Sequence, residues 1–121
     1  MARIVVIEDE PPIRANLSRM LEMEGHEVVT AEDGLAGLQR IRAQQPDLIF
    51  CDLVMPVLDG YGVLAEVLAR AETATIPFIF LSASADQVER EEGLRRGATA
   101  YLTKPFRLGE IRDTVARHLQ R

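Results

Sequence analysis

Short apolar runs alternate with amphipathic stretches along this chain. The apolar runs lie at residues 3–7, 26–30, 47–51, 76–81 and 99–103. Three of them, with the sequences RIVVI, DLIFC and IPFIFL, are almost continuously apolar. Parallel strands that are buried on both faces of a sheet have this composition, whereas half-exposed antiparallel strands alternate apolar with polar residues. The pattern therefore predicts five strands of a parallel sheet.

The stretches between these runs have helical periodicity. Leu17 and Leu21 share one face of the first predicted helix, for example, and Asp86 with Glu89 three residues later predicts a capping box at the start of the fourth. Proline, glycine and aspartate residues set the expected ends. The predicted helices run from Pro12 to Gly25, from Leu35 to just before Pro46, from the Asp59-Gly60 turn through Leu68, from Asp86 to Gly97, and from Leu108 to the C-terminus.

Five strands that alternate with five helices predict a doubly wound α/β fold with right-handed crossovers. For a (βα)5 chain the common strand order is 2-1-3-4-5, the flavodoxin-like three-layer sandwich. In this order the first and third strands are neighbours, and the chain leaves them in opposite directions. Their carboxyl ends border the crevice in which open α/β folds bind ligands. We expect residues 1–121 to form a single domain of ordinary size.

Composition and charge narrow the class of protein. The 121 residues are 47% hydrophobic and 27% charged, which is typical of a globular protein. The net charge of -5 argues against direct binding of nucleic acid, because no basic excess is present to neutralise phosphates. The single cysteine, Cys51, cannot form an internal disulfide, and no apolar stretch approaches the length of a membrane span. We therefore predict a cytoplasmic protein that contacts neither membrane nor nucleic acid.

Polar side chains follow the predicted strands where each strand ends. Glu8 and Asp9 follow the first strand, Asp52 the third, Ser82 the fourth and Lys104 the fifth. The fold would bring three carboxylates, one hydroxyl and one ammonium to a single crevice. Like charges this close repel one another unless a cation lies among them. A Glu-Asp pair after a strand is by itself usually a solvated turn, but the third carboxylate across the crevice favours a cation site.

These groups suit magnesium-dependent phosphoryl chemistry. Mg²⁺, or Mn²⁺ as its substitute, prefers oxygen ligands and is commonly held by one or two carboxylates. Asp9 and Asp52 could supply them, and Glu8 could reach the ion directly or through water. An aspartate can also attack phosphorus to give an acyl phosphate. Lys104 would then neutralise phosphoryl charge, and Ser82 could donate a hydrogen bond to a phosphoryl oxygen.

The segments VVIEDEPPIR, DLIFCDLVMPVLDG, IPFIFLSA and GATAYLTKPF resemble, in order and spacing, those of a response-regulator receiver domain of two-component signalling, a CheY-like domain. The resemblance covers the whole chain. It implies that Asp52 is the phospho-acceptor and that Glu8 and Asp9 form the acidic pair. It also implies that the backbone carbonyl of Val54 completes the protein ligands to Mg²⁺. Glu8 departs from the family, which more often has aspartate at this position.

The resemblance also implies a switch and its partners. Lys104 would contact the phosphoryl group, Ser82 would be the switch hydroxyl and Tyr101 the coupled aromatic residue, and the Lys104-Pro105 bond would be cis. A sensor histidine kinase, a phosphotransfer protein or a small phosphodonor would supply the phosphoryl group. A downstream effector, or an output domain outside this sequence, would read the face formed by the fourth helix, fifth strand and fifth helix.

Several alternatives stay open at this stage. Ser84 competes with Ser82 for the switch position, although the end of the strand favours Ser82. A tyrosine in an edge strand, such as Tyr101, is ordinarily a packing residue whose hydroxyl reaches water. A magnesium-dependent phosphohydrolase of the aspartate-nucleophile type normally needs a second aspartate two residues after the nucleophile, where this chain has Val54. We therefore expect no substrate turnover beyond the chain's own phosphorylation and dephosphorylation.

A third class of function is a receiver-like interaction module that is never phosphorylated. Degenerate copies of this kind usually lose the acceptor aspartate or the lysine. This chain keeps both Asp52 and Lys104, which favours a phosphorylated switch.

Overall fold

The computed structural model of the protein describes residues 1–119, and five parallel strands form its central sheet. The strands are β1 (Arg3–Ile7), β2 (Glu27–Ala31), β3 (Leu48–Asp52), β4 (Phe78–Ser82) and β5 (Ala100–Thr103). Their order is β2-β1-β3-β4-β5, and each neighbouring pair is parallel. The predicted doubly wound fold and its strand order are therefore confirmed.

A helix follows each strand. The helices are α1 (Pro11–Met23), α2 (Gly34–Gln44), α3 (Gly60–Leu68), α4 (Gln87–Arg95) and α5 (Leu108–His118). Prolines start α1, and aspartate side chains cap α2, α3 and α4 by accepting hydrogen bonds from backbone N–H groups in the first turn. The predicted run of α5 to the C-terminus includes Gln120 and Arg121, which lie outside the described residues. Within residues 1–119, no helix has both the length and the apolar character needed to cross a membrane.

The sheet separates two apolar layers. On one face, residues of β1, β3 and β4 pack with α1 and α5 through Leu17, Leu21, Ile111 and Val115. On the other face, the same strands pack with α2 and α3 through Leu38, Ile41, Val63, Leu64 and Val67. Alternate residues of each central strand point to opposite faces, so continuously apolar strands supply both layers. This is the expected three-layer arrangement.

Strands β2 to β5 begin one or two residues later than the apolar runs predict. Two polar residues at the starts of these runs make side-chain hydrogen bonds to neighbouring strands. The Asp47 carboxylate accepts a hydrogen bond from the N–H of the first residue of β1, and the Thr99 hydroxyl accepts one from the N–H of Phe78. Strands β3 and β4 also end one residue later than predicted, so Asp52 and Ser82 are themselves their last residues.

The predicted capping box of α4 is only half formed. The Asp86 carboxylate accepts hydrogen bonds from the N–H groups of Val88 (2.7 Å) and Glu89 (3.4 Å). In a complete box the Glu89 carboxylate would bond back to the N–H of Asp86. Here it accepts a hydrogen bond from the hydroxyl of Ser84, and the N–H of Asp86 also bonds to that hydroxyl. The prediction was therefore right for Asp86 and wrong for Glu89.

Candidate functional site

Three charged side chains from distant parts of the chain meet at the carboxyl end of the sheet. Glu8 directly follows β1, Asp52 ends β3, and Lys104 directly follows β5. Because β1 and β3 pair with Ile7 opposite Cys51, the two carboxylates leave the sheet from adjacent strand ends. The crevice predicted from the strand order therefore contains these groups.

The Lys104 ammonium lies between the two carboxylates. Its Nζ atom is 2.7 Å from Glu8 Oε1, and it donates a hydrogen bond to Asp52 Oδ1 at 3.2 Å. The exposed fractions of the side chains are 0% for Glu8, 7% for Asp52 and 14% for Lys104. The predicted cis bond between Lys104 and Pro105 is confirmed, and the N–H of Lys104 donates to the carbonyl of Ser82 at 2.7 Å. The group thus has two buried negative charges and one positive charge.

This imbalance changes the pKa values of the group. Burial raises the pKa of Asp52, the charge of Glu8 raises it further, and Lys104 lowers it, so that the net pKa is about 7 instead of 3.8. Burial acts to lower the pKa of Lys104, but the ion pair with Glu8 and the charge of Asp52 outweigh it and raise that pKa. Burial is the largest cause of the shift of Asp52 and the charge of Glu8 the second, so an added cation would favour the ionised form of Asp52.

The carboxylates also fit a divalent cation. Glu8, Asp9 and Asp52 each offer one oxygen, and these oxygens lie within 4.8 Å of one another. The buried Glu8 Oε1 accepts no hydrogen bond from a described residue, although the ammonium is close enough to attract it. It therefore keeps lone pairs for a further ligand. Hard oxygen donors in this number suit Mg²⁺. The carbonyl of Val54, the other expected ligand, lies in the loop after β3, where Val54 is 76% exposed.

The two residues expected to form the switch are connected through a third. Ser82 is buried at the end of β4, and its Oγ accepts a hydrogen bond from the N–H of Ser84 at 3.1 Å. Tyr101 is 1% exposed, and its hydroxyl donates to the carbonyl of Ser84 at 3.0 Å. Tyr101 thus packs in the core, and its hydroxyl bonds to the chain itself. Ser82, rather than Ser84, occupies the strand end, as the register predicts.

Sequence reasoning missed two contributors to the site. Arg14 on α1 donates from Nη1 to the carbonyl of Glu8 at 2.7 Å and so supports the loop that carries the acidic pair. Ser84 was considered only as a substitute for Ser82, yet it bonds to both Ser82 and Tyr101. Neither residue lies in a motif with a metal or catalytic spacing, so no local signal identifies these contacts.

A cavity of about 540 Å³ opens beside Lys104. Its walls come from the start of α1, from the segment after β4 and from the segment after β5, and they are formed by Glu10, Pro12, Ile13, Asn16, Ala83, Lys104, Pro105 and Phe106. Glu10 is exposed at its rim and lies outside the cluster of carboxylates. Lys104 is the one member of the charged group among these lining residues.

Comparison with known sequences agrees with this geometry. The family model of the response regulator receiver domain matches residues 4–116. Protein PilH of Pseudomonas aeruginosa is 39% identical over 105 residues, which are 87% of this chain and 87% of PilH. The DNA-binding dual master transcriptional regulator RpaA of Synechocystis is 39% identical over 121 residues, which are all of this chain and 50% of RpaA. The chain thus spans about half the length of several curated relatives that it matches.

Solved structures show the same architecture. The chemotaxis protein CheY4 of Vibrio cholerae superposes with a TM-score of 0.92 at 31% identity, over 98% of this chain and 99% of CheY4. The receiver domain of the sensor histidine kinase PA1611 of Pseudomonas aeruginosa superposes with a TM-score of 0.90 at 33% identity, over 98% of this chain and 97% of that domain. The PA1611 structure has a magnesium ion coordinated in its active site cleft.

Proposed function

Because this chain belongs to the response regulator receiver domain family, we propose that it is a phospho-acceptor switch and that Asp52 is the acceptor. Receiver domains are signalling modules of two-component systems. The observation that carries the assignment is the position of the Asp52 carboxylate, which is nearly buried at the end of β3 and bonded to Lys104 beside Glu8. Burial of a carboxylate costs free energy unless it has charged or hydrogen-bonding partners. A buried carboxylate with a strongly shifted pKa in a crevice is typical of a functional site.

The proposed reaction is a phosphoryl transfer from a phosphohistidine of a partner kinase or phosphotransfer protein. An oxygen of Asp52 attacks phosphorus, the P–N bond breaks, and its electron pair stays on the imidazole nitrogen, which takes up a proton. Lys104 then faces the new phosphoryl group, and the free hydroxyl proton of Ser82 can be donated to a phosphoryl oxygen. Glu8, Asp9, Asp52 and the Val54 carbonyl would hold Mg²⁺, which when bound neutralises charge on the phosphoryl oxygens.

The cavity beside Lys104 is the route by which we expect the phosphohistidine to approach. Its wall is largely apolar, and Pro12, Ile13 and Phe106 can contact the uncharged part of an imidazole ring. Lys104, which would contact the arriving phosphoryl group, is one of its lining residues. A small phosphodonor such as acetyl phosphate can enter by the same route.

We further infer that the phosphoryl group shifts a two-state equilibrium. In the phosphorylated state Ser82 moves toward the new dianion, and Tyr101 changes its position on the face formed by α4, β5 and α5. An effector protein, or an output domain outside the sequence, reads that face. The net charge of -5 supports a readout in which this chain itself does not bind DNA. We place the phosphoryl transfer in the cytoplasm.

The first experiment is to incubate the protein with Mg²⁺ and acetyl phosphate and to measure its intact mass. We expect one phosphoryl adduct on the parent and on Asp113→Asn, an exposed aspartate of α5 that serves as the matched control. Asp52→Asn should carry no adduct, because the amide cannot form an acyl phosphate. Removal of the divalent cation with EDTA should also suppress the adduct.

Two outcomes would contradict the proposal. An adduct on Asp52→Asn with the stoichiometry of the parent would show that another residue is the acceptor. A parent that takes no phosphoryl group from acetyl phosphate, and shows no Mg²⁺-dependent binding of beryllofluoride, would instead indicate a receiver-like module that works without phosphorylation.

A further inference from the structure

Ser84 lies between the proposed switch residues and the start of α4, and it bonds to both. Its N–H donates to Ser82 Oγ at 3.1 Å, and its carbonyl accepts from the Tyr101 hydroxyl at 3.0 Å. Its own hydroxyl donates to Glu89 Oε2 at 2.5 Å and accepts from the N–H of Asp86 at 3.2 Å. The backbone of Ser84 therefore bonds to the proposed switch residues, and its side chain bonds to the start of α4.

The hydroxyl of Ser84 contacts the residues that begin α4. Asp86 caps the helix by accepting from the N–H of Val88, and Glu89 lies in the first turn. All nine residues of α4 are described, and Gly93 is the buried one among them. A helix with so little buried apolar surface has a low free energy of local opening, so polar bonds at its start have a large share in positioning it.

The geometry of Ser82 links these bonds to the phosphoryl group. The hydrogen bond from Ser84 uses a lone pair of Ser82 Oγ and leaves its proton free to donate. Ser82 can therefore bond to a phosphoryl oxygen without first releasing Ser84. A displacement of Ser82 then moves the backbone of Ser84, and the Ser84 hydroxyl carries its bonds to Asp86 and Glu89 with it.

We propose that the Ser84 hydroxyl is a positioning group that couples Ser82 to the first turn of α4. This inference rests on the proposed phospho-acceptor function and adds to it the residue through which α4 responds. Ser84 does not touch the phosphoryl group in this scheme. Loss of its hydroxyl therefore leaves Asp52 able to accept a phosphoryl group, but α4 no longer responds to the phosphorylation.

A purely structural role for Ser84 predicts something different. If the hydroxyl only stabilised the start of α4, its removal would increase hydrogen exchange of the first turn equally with and without a phosphoryl group. Coupling predicts that the difference between the two states is lost. The measurement must therefore compare states as well as variants.

The experiment measures amide hydrogen exchange at residues 88–91, with Mg²⁺ alone and with Mg²⁺ plus beryllofluoride as the phosphoryl mimic. In the parent we expect the mimic to change exchange of these amides by about fivefold, and in Ser84→Ala by less than about twofold. Ser84→Thr keeps a hydroxyl and should restore the change of the parent. Thr75→Ala removes an exposed hydroxyl before β4 and serves as the control, with the response of the parent. Binding of beryllofluoride is measured in every variant.

Each result has a separate meaning. Equal responses of Ser84→Ala and the parent would overturn the coupling role while the phospho-acceptor function stands. The same conclusion follows if the parent binds the mimic but the α4 amides do not respond, or if Ser84→Thr fails to restore the response. A parent that neither binds the mimic nor accepts phosphate on Asp52 would overturn the proposed function, and the coupling role with it.

Discussion

Lys104 illustrates how one side chain can be required by its shape as well as its charge. It is the one lysine in a sequence that has 14 lysine and arginine residues. A lysine ammonium is a compact point charge, whereas the arginine guanidinium is a wide planar fork. At this position the ammonium must contact Glu8 and Asp52 together in a space that leaves it 14% exposed. The compact group suits this space.

The ion pairs of Lys104 should protect it from acylation. An acylating reagent needs the neutral amine, and the neighbouring carboxylates raise the pKa of Lys104 and so reduce the neutral fraction. We expect acetylation of Lys104 to be at least about tenfold slower in the folded protein than in urea. Peptide mass analysis over time measures both rates. The amino group of Met1 should react at similar rates in both states, because Met1 is 94% exposed.

Removal of one carboxylate tests the cause of this protection. In Asp52→Asn one of the two negative partners is gone, so acetylation of Lys104 should be faster than in the folded parent. Equal rates for Lys104 in the folded parent and in urea would show that the described ion pairs do not protect it in solution.

At the scale of elements, close contact between helix and strand depends on a glycine. Gly37 of α2 lies against β1, and a Cβ atom added there would come within 2.4 Å of Ile7 Cδ1. Gly109 lies in the first turn of α5, and a Cβ atom there would meet no heavy atom of the described residues within 4 Å. Both glycines are helical, so alanine would improve the helix propensity at each. They differ in the space available.

The two glycines therefore predict opposite effects of one substitution. Gly37→Ala should lower the free energy of unfolding by about 1–3 kcal/mol, because the forced shift of Ile7 outweighs the gain in helix propensity. Gly109→Ala should raise it by up to about 0.5–1 kcal/mol. Urea unfolding followed by circular dichroism measures both values. A stabilised Gly37→Ala would contradict the close packing of α2 on β1.

At the scale of the whole molecule, two titrating groups oppose each other as pH changes. The pKa of Asp52 is raised to about 7 by burial and by Glu8, so without a cation the folded state gains stability as pH falls from 7 toward 4. The pKa of His26 is lowered by burial and by the N-terminal amino group, and His26 Nδ1 accepts a hydrogen bond from the N–H of Ala2. His26 therefore contributes stability above its unfolded pKa of 6.5 that is lost as pH falls through its folded pKa.

Asp52→Asn should separate these two contributions. In EDTA at pH 8 the variant should be more stable than the parent by about 1–2 kcal/mol, because a buried carboxylate has been removed while Glu8 keeps its contact with Lys104. Between pH 7 and pH 5 its stability should decline more steeply than that of the parent, since the opposing gain from Asp52 is absent. Thermal unfolding across this pH range measures both effects.

The control for the pH series is Asp113→Asn, whose stability should equal that of the parent at every pH. A variant Asp52→Asn that is less stable than the parent at pH 8 would contradict the described electrostatics of the site. It would mean that the Lys104 ion pairs favour the charged form of Asp52 by more than burial disfavours it.

Much of this architecture was predictable from local properties of the sequence. Five apolar runs, separated by helical periodicity, determine the number and order of the elements, because burial on both faces requires continuously apolar strands. The strand order then places the carboxyl ends of β1 and β3 together, so the polar residues that end or follow these strands face one crevice. The meeting of Glu8, Asp52 and Lys104 could be expected on these grounds.

Only the tertiary structure decided which polar atoms bond to one another. The Thr99 hydroxyl accepts a hydrogen bond from the N–H of Phe78 on the neighbouring strand, and the capping box is incomplete because the Glu89 carboxylate bonds to the Ser84 hydroxyl. The Tyr101 hydroxyl donates to the carbonyl of the same residue, Ser84. Hydrogen bonds require alignment within a few tenths of an ångström between groups that can be far apart in the chain. Residue pattern specifies which face a side chain occupies, and only the packed structure brings a particular donor to a particular acceptor.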